Sequence, residues 1–103
     1  MKLREIAHSR TGDKGNISNV SLIAYDPANY ELLAREVTAA KVKAWFEPLV
    51  TGDVVRYELP TIGALNFVLF GALGGGVTRS LAVDTHGKSL SFLLLDMDID
   101  ADQ

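Results

Sequence analysis

Apolar and polar positions alternate most cleanly from Ile17 to Tyr25. Val20, Leu22 and Ala24 fall on one side there, and Asn19, Ser21, Ile23 and Tyr25 on the other. A period of two is what a half-buried strand requires. A weaker alternation runs from Leu3 to Ser9, with Ile6 and His8 on one face and Leu3, Glu5 and Ala7 on the other. These two strands pair most economically as antiparallel neighbours. The intervening Arg10-Thr11-Gly12-Asp13-Lys14-Gly15-Asn16 then forms a loop at one end of the sheet.

Helical signals follow. Asp26 can cap exposed N–H groups and Pro27 suits a first helical position, so a helix is expected to about Glu36, with Tyr30, Leu33, Leu32 and Val37 inward. Thr38 caps a second helix, Ala39 to Phe46, whose apolar stripe is Val42, Trp45, Phe46 and, further on, Leu49. Pro48 limits it, because proline lacks the N–H an interior turn needs. Thr51-Gly52-Asp53 is a turn. Val54 to Leu59 alternates again, with Val55, Tyr57 and Leu59 opposite Val54, Arg56 and Glu58.

Pro60 to Gly63 breaks that strand. From Ala64 to Leu73 apolar side chains stand nearly all round, the pattern of a short helix buried against a sheet. Asn66 is its one strongly polar side chain, and a buried amide left unbonded costs about 1–3 kcal/mol. It therefore needs either a structural partner or a ligand. Gly74-Gly75-Gly76 ends this helix, Ser80 to Asp84 reads as a strand, and Asp84 to Gly87 as a tight turn. Leu90, Phe92 and Leu94 alternate, yet Leu90, Leu93, Leu94 and Met97 fit a helix equally. A short helix from about Lys88 to Leu95, followed by a brief strand or tail, is the favoured reading, with a solvated acidic end from Asp96 to Gln103.

Composition narrows the function classes. The 103 residues, 48% apolar and 22% charged, are of single-domain size and ordinary globular composition. A net charge of -3 without a basic stripe gives no footprint for nucleic acid or an anionic membrane. Leu59 to Thr78 carries no charge, but its proline and glycines interrupt it too often for a spanning helix. Met1 to Ile6 has no long apolar run, so no signal peptide is expected. The absence of cysteine removes thiolate metal sites and cysteine nucleophiles and fits a cytoplasmic protein. Metal binding is not expected. His8 and His86 lack ligand spacing, and Asp96, Asp98, Asp100 and Asp102 lack the glycine and terminal glutamate of an EF-hand.

Two glycine-rich stretches carry the candidate chemistry. In the first, Arg10 and Lys14 flank Gly12, Asp13, Gly15 and Asn16, a group able to hold a phosphate or carboxylate. It lacks P-loop spacing and no helix follows it. In the second, Gly75 and Gly76 precede Thr78 and Arg79, whose guanidinium can clamp an anion in a fork. The bland readings are a solvated hairpin and a tightly packed helix-to-strand connection. If both stretches meet at one end of the sheet, they make a polar, anion-friendly cleft with Asn66 nearby.

His8-Ser9-Arg10-Thr11-Gly12-Asp13-Lys14-Gly15-Asn16, Lys43-Ala44-Trp45-Phe46, Tyr57-Glu58-Leu59-Pro60, Ala64-Leu65-Asn66-Phe67-Val68 and Ala72 to Ser80 together resemble the C-terminal, ferredoxin-fold-like domain of the acyclic terpene utilisation (AtuA-like) family. The resemblance covers residues 3 to 99. It implies an α+β two-layer sandwich, an antiparallel or mixed sheet with helices packed on one face. In longer relatives this domain follows a large N-terminal domain. The resemblance thus implies a small subunit or accessory protein of an acyl-CoA or organic-acid catabolic enzyme of hydratase or lyase type. Its expected partners are a larger AtuA-like N-terminal-type subunit and further copies of itself. A CoA ester is a possible ligand and no cofactor is implied. Arg10, Lys14 and Arg79 would hold anionic groups, with Asp13 the candidate proton carrier. A non-catalytic, oligomerising interaction module is the alternative, and a free-standing enzyme a third reading.

Overall fold

Backbone pairing rather than a loop absorbs the polar stretch after His8. In the computed structural model, which describes residues 1–14, 17–47, 50–71 and 90–100 and gives Asp13 and Lys14 in backbone only, β1 is Ala7–Lys14 and β2 is Ile17–Ala24. They pair antiparallel from Ala7 opposite Ala24 to Lys14 opposite Ile17. The expected loop at Arg10–Asn16 is thus strand as far as Lys14. Leu3–Glu5, expected as strand, is a single 3₁₀ turn. The reason lies in β1's place at an end of the described sheet, where polar side chains cost little and edge strands are commonly polar. Alternating hydrophobicity is therefore a poor guide to its limits.

Asp26 accepts a hydrogen bond from the Ala28 N–H at 3.0 Å and opens a 3₁₀ turn, Pro27–Asn29, that runs into α1, Tyr30–Glu36. Thr38 caps α2, Ala39–Phe46, through the Lys41 N–H at 3.1 Å. Val42 and Phe46 of α2 are buried, but Trp45, expected on the same stripe, is 42% exposed and donates its indole N–H to the Leu93 carbonyl at 3.0 Å. Leu49 lies outside the described residues.

The next strand, β3, Val54–Leu59, falls where the alternation put it. The segment expected as a buried helix does not. Ala64–Phe70 is strand β4, placed between β2 and β3 in a four-stranded sheet of order β1-β2-β4-β3, antiparallel throughout. A central strand apolar on both faces has no period to distinguish it from a buried helix. The hairpin that decides the matter turns through Pro60–Ile62 and Gly63, at φ 67, a left-handed conformation glycine adopts freely. Both β2 and β3 run antiparallel to β4, so they are parallel to each other, linked by α1 and α2 with β4 inserted between them. That is the connectivity of a split βαβ unit.

One face of the sheet is covered. Ala7, Val20, Leu22, Leu65, Phe67 and Leu69 point into a core closed by Leu33 of α1, Val42 and Phe46 of α2, and Leu90 and Leu94 of α3, Leu90–Leu94. The architecture is thus α+β, two layers, with the helices on one face. Thr11 of β1 positions α3 by accepting the Ser91 N–H at 2.7 Å. The stretch after α3 is not simply solvated, because Met97 and Ile99 are buried. Met97 accepts from the Leu3 N–H at 3.0 Å, Ile99 donates to Met1 at 2.8 Å, and Lys2 bridges antiparallel to Asp98. Its aspartates alternate with these apolar residues and face outward, Asp98 toward Lys2 and Asp96 toward Arg4.

Glu36, last residue of α1, ties this segment down. Its carboxylate accepts from the Arg35 Nε at 3.1 Å and the Asp100 N–H at 3.4 Å, with the Lys41 ammonium 3.6 Å away. The Arg35 hydrogen bond, then the Asp100 N–H, lower its pKa below the ordinary carboxylate value against an opposing effect of desolvation. A lowered folded-state pKa gives stability that is complete above the unfolded value and lost as pH falls through the folded one. Glu36→Gln is therefore expected to be less stable than the parent at neutral pH, with the gap closing on acidification. Urea titrations between neutral pH and strong acid measure this; a gap that stays constant counts against the ionic account.

Candidate functional site: the open face of the sheet

Side chains of β-strands alternate between faces, so the register that buries Val20 and Phe67 also fixes what lies on the uncovered side. Aligned across the strands, the residues there form rows. Arg10, Ser21, Asn66 and Tyr57 make one row, and Gly12, Asn19, Val68 and Val55 the next. Lys14, Ile17 and Phe70 stand at one end, and His8, Ile23, Ala64 and Leu59 at the other.

The row led by Arg10 holds the most chemistry. Neither the Arg10 guanidinium nor the Asn66 amide has a hydrogen-bond or ion-pair partner among the described residues. Arg10 is exposed, Asn66 half-buried and Tyr57 54% exposed. Ser21, between Arg10 and Asn66, uses its hydroxyl on the Arg10 backbone, accepting the N–H at 3.2 Å. Two strand spacings, about 10 Å, separate the backbones of Arg10 and Asn66. Gly12 serves the neighbouring row, since a Cβ there would meet Asn19 Oδ1 at 3.0 Å. Its lack of a side chain lets the Asn19 amide lie across β1. His8 stacks on Tyr25, ring centroids 5.2 Å apart, and bounds the face at one corner.

Of the sequence-derived candidates, the fold therefore brings Arg10, Gly12 and Asn66 together on one surface, with the Lys14 backbone at its rim. Asn66 reaches this face by strand alternation, so its amide is open to a ligand or partner rather than enclosed in a helix. Gly15, Asn16, Gly75, Gly76, Thr78 and Arg79 lie outside the described residues, as do the side chains of Asp13 and Lys14. Tyr57, Ser21 and Asn19 were not singled out from the sequence. The alternation of β3 did set Tyr57 apart from Arg56, but which side the helices cover is a tertiary fact.

Two open grooves lie on the helical side. One, of about 560 Å³, is lined by Lys43, Glu47, Val50 and Thr51. The other, of about 290 Å³, is lined by Lys41, Ala44, Trp45, Met97 and Asp98. Neither adjoins the Arg10 row. Among the described residues no three His, Asp or Glu side chains converge as metal ligands would, and no helix is long and apolar enough to cross a membrane.

An antiparallel sheet with helices on one face agrees with the architecture that the sequence resemblance implies, and residues 1–100 match the family described as the AtuA ferredoxin-like domain. The chain belongs to that family. No curated protein and no solved structure matches it. Membership in the AtuA ferredoxin-like family fixes the domain type.

Proposed function

We propose that this AtuA ferredoxin-like domain is the small, partner-binding subunit of an enzyme of acyl-CoA or organic-acid catabolism, and that it docks a larger AtuA-like N-terminal-type subunit on the open face of its sheet. The observation that carries this reading is the Arg10 row, where a guanidinium and an amide without partners among the described residues share the sheet face with exposed Tyr57. Val55 stands in the next row, and Ile17 and Phe70 at the end of the face beyond it, each 37–40% exposed. Arginine and aromatic side chains beside apolar ones are the composition of protein interface centres. A flat face suits a partner surface better than a small molecule, which favours concave, enclosed sites. The partner's matching patch would be acidic or carbonyl-rich, since Arg10 offers only donors. The metabolic setting rests on the family context that the resemblance implies.

Co-purification of the two chains and titration calorimetry of the pair test the proposal. Arg10→Ala and Asn66→Ala are each expected to weaken association by about 10–100-fold, the range of a hot-spot side chain, and to lower turnover of the reconstituted pair in parallel. Association and turnover that both ignore the two substitutions would overturn the docking role. Competition by millimolar CoA ester would instead assign the row to an anionic ligand.

A further inference from the structure

Strand β3 stands at an end of the described sheet, with one backbone edge turned away from β4. The Phe70 N–H donates to the Asp53 carbonyl at 3.0 Å. In an antiparallel ladder alternate residues exchange hydrogen bonds with the neighbouring strand. The backbones of Val55, Tyr57 and Leu59 therefore face β4, opposite Val68, Asn66 and Ala64, and the N–H and C=O groups of Val54, Arg56 and Glu58 face outward. None of these outward groups has a partner among the described residues. The side chains add to the exposure: Val55, Tyr57 and Leu59 are 37%, 54% and 42% accessible on the open face. Such an edge is a template for another strand.

We infer that two copies of this chain associate through β3 in one register, with Tyr57 on the two-fold axis. A two-fold that joins sheet edges antiparallel stands perpendicular to the sheet, so each residue meets one from the same face. This leaves few registers. An axis at Arg56 sets two guanidiniums against each other, and an axis at Glu58 does the same with two carboxylates, arrangements that destabilise a strand pair. An axis at Val55 sets Val54 against the second copy's Arg56 and leaves Tyr57 to Leu59 without strand partners. The axis at Tyr57 places Arg56 opposite Glu58 of the second copy, Val55 opposite its Leu59, and the two tyrosines together. The outward backbone groups of Arg56 and Glu58 then bond each other, twice by symmetry. The Arg56 Nη2, already 2.8 Å from its own Glu58, lies between both carboxylates. The Arg10 rows of the two copies join into one row across eight strands, with an arginine at each end. Pairing through the β3 backbone needs no partner subunit, so the dimer stands or falls independently of the docking role proposed above.

Sedimentation of the full chain across a concentration series, with circular dichroism to confirm folding, reads the association. The parent is expected to reach dimer mass, and Glu58→Arg, which opposes like charges across the edge, to raise the dimer dissociation constant at least tenfold. The chain has no cysteine, so single substitutions report the register. Tyr57→Cys is expected to oxidise to one disulfide-linked dimer, because residues on the axis lie about 4.5 Å apart at their Cα atoms. Val55→Cys is expected to remain uncrosslinked, since two residues off the axis put its counterpart about 13 Å away, beyond disulfide reach. A parent that stays monomeric at all concentrations overturns the inference. So does a dimer unaffected by Glu58→Arg, or one in which Val55→Cys crosslinks as readily as Tyr57→Cys.

Discussion

Phe67→Ala is expected to cost about 3–5 kcal/mol, the range for emptying a buried phenylalanine site, while its neighbour Asn66→Ala changes stability by about 0.5 kcal/mol or less, as an unpartnered surface position does. Phe67 is fully buried in the middle strand, opposite Val20 and Arg56. Against a total stability of about 5–15 kcal/mol for a domain, that loss is a large fraction. The contrast between the two adjacent residues is the informative part. In the helix expected from the apolar run, both would be enclosed, and losing the Asn66 amide would also cost stability. In β4 they face opposite sides, so one substitution empties part of the core and the other alters only the surface. Urea unfolding of the two variants measures both. Equal costs would contradict the strand.

That pair also shows where the sequence was legible. β2, α2 and β3 can be read directly because each has one covered and one uncovered face, which imposes a period on the residue types. Thr38 marks the start of α2 through a cap that uses only local atoms, and local signals survive without tertiary knowledge. β4 fails for the opposite reason. It lies between two strands, with Phe67 and Leu69 in the core and Val68 and Phe70 on the other face, so apolar residues on both sides erase the period. β1 was expected from Leu3 to Ser9 and runs from Ala7 to Lys14 instead, because it is polar: Arg10, Thr11 and Asp13 resemble loop chemistry until β2 supplies their hydrogen bonds. The candidate site was half legible on the same logic. Arg10, Gly12 and Asn66 were chosen for their chemistry and do share a surface. The two glycine stretches were expected to join them as loops at one end of the sheet, yet Arg10 and Gly12 meet Asn66 across the sheet face, through strand register, which no residue announces alone.

Arg56→Ala is expected to destabilise the protein by about 2–3 kcal/mol, although arginine on a strand next to solvent looks replaceable. Its guanidinium crosses from β3 to the C-terminal end of α1, where Nη1 donates to the carbonyls of Ala34 at 2.6 Å and Val37 at 3.0 Å while Nη2 holds Glu58. The last carbonyls of a helix have no intrahelical donor, and they carry the negative end of the helix dipole, where a cation is favoured. One side chain, 20% exposed, therefore meets both needs and pins α1 to the edge of the sheet. Hydrogen bonds from charged donors contribute about 1.5–3 kcal/mol each, and hydration of the freed carbonyls brings the total down to or below the lower end of their sum. Lysine offers a single point of donation in place of a planar fork, so Arg56→Lys should recover only about half of the loss. Arg56→Met, which keeps much of the apolar stem but no donor, should resemble alanine. Amide exchange would show the cause, with protection lost first at Leu33 to Val37 in α1 and largely kept in β2 and β4. If Arg56→Met matches the parent in stability and exchange, the stem alone matters and the carbonyl clamp does not hold α1.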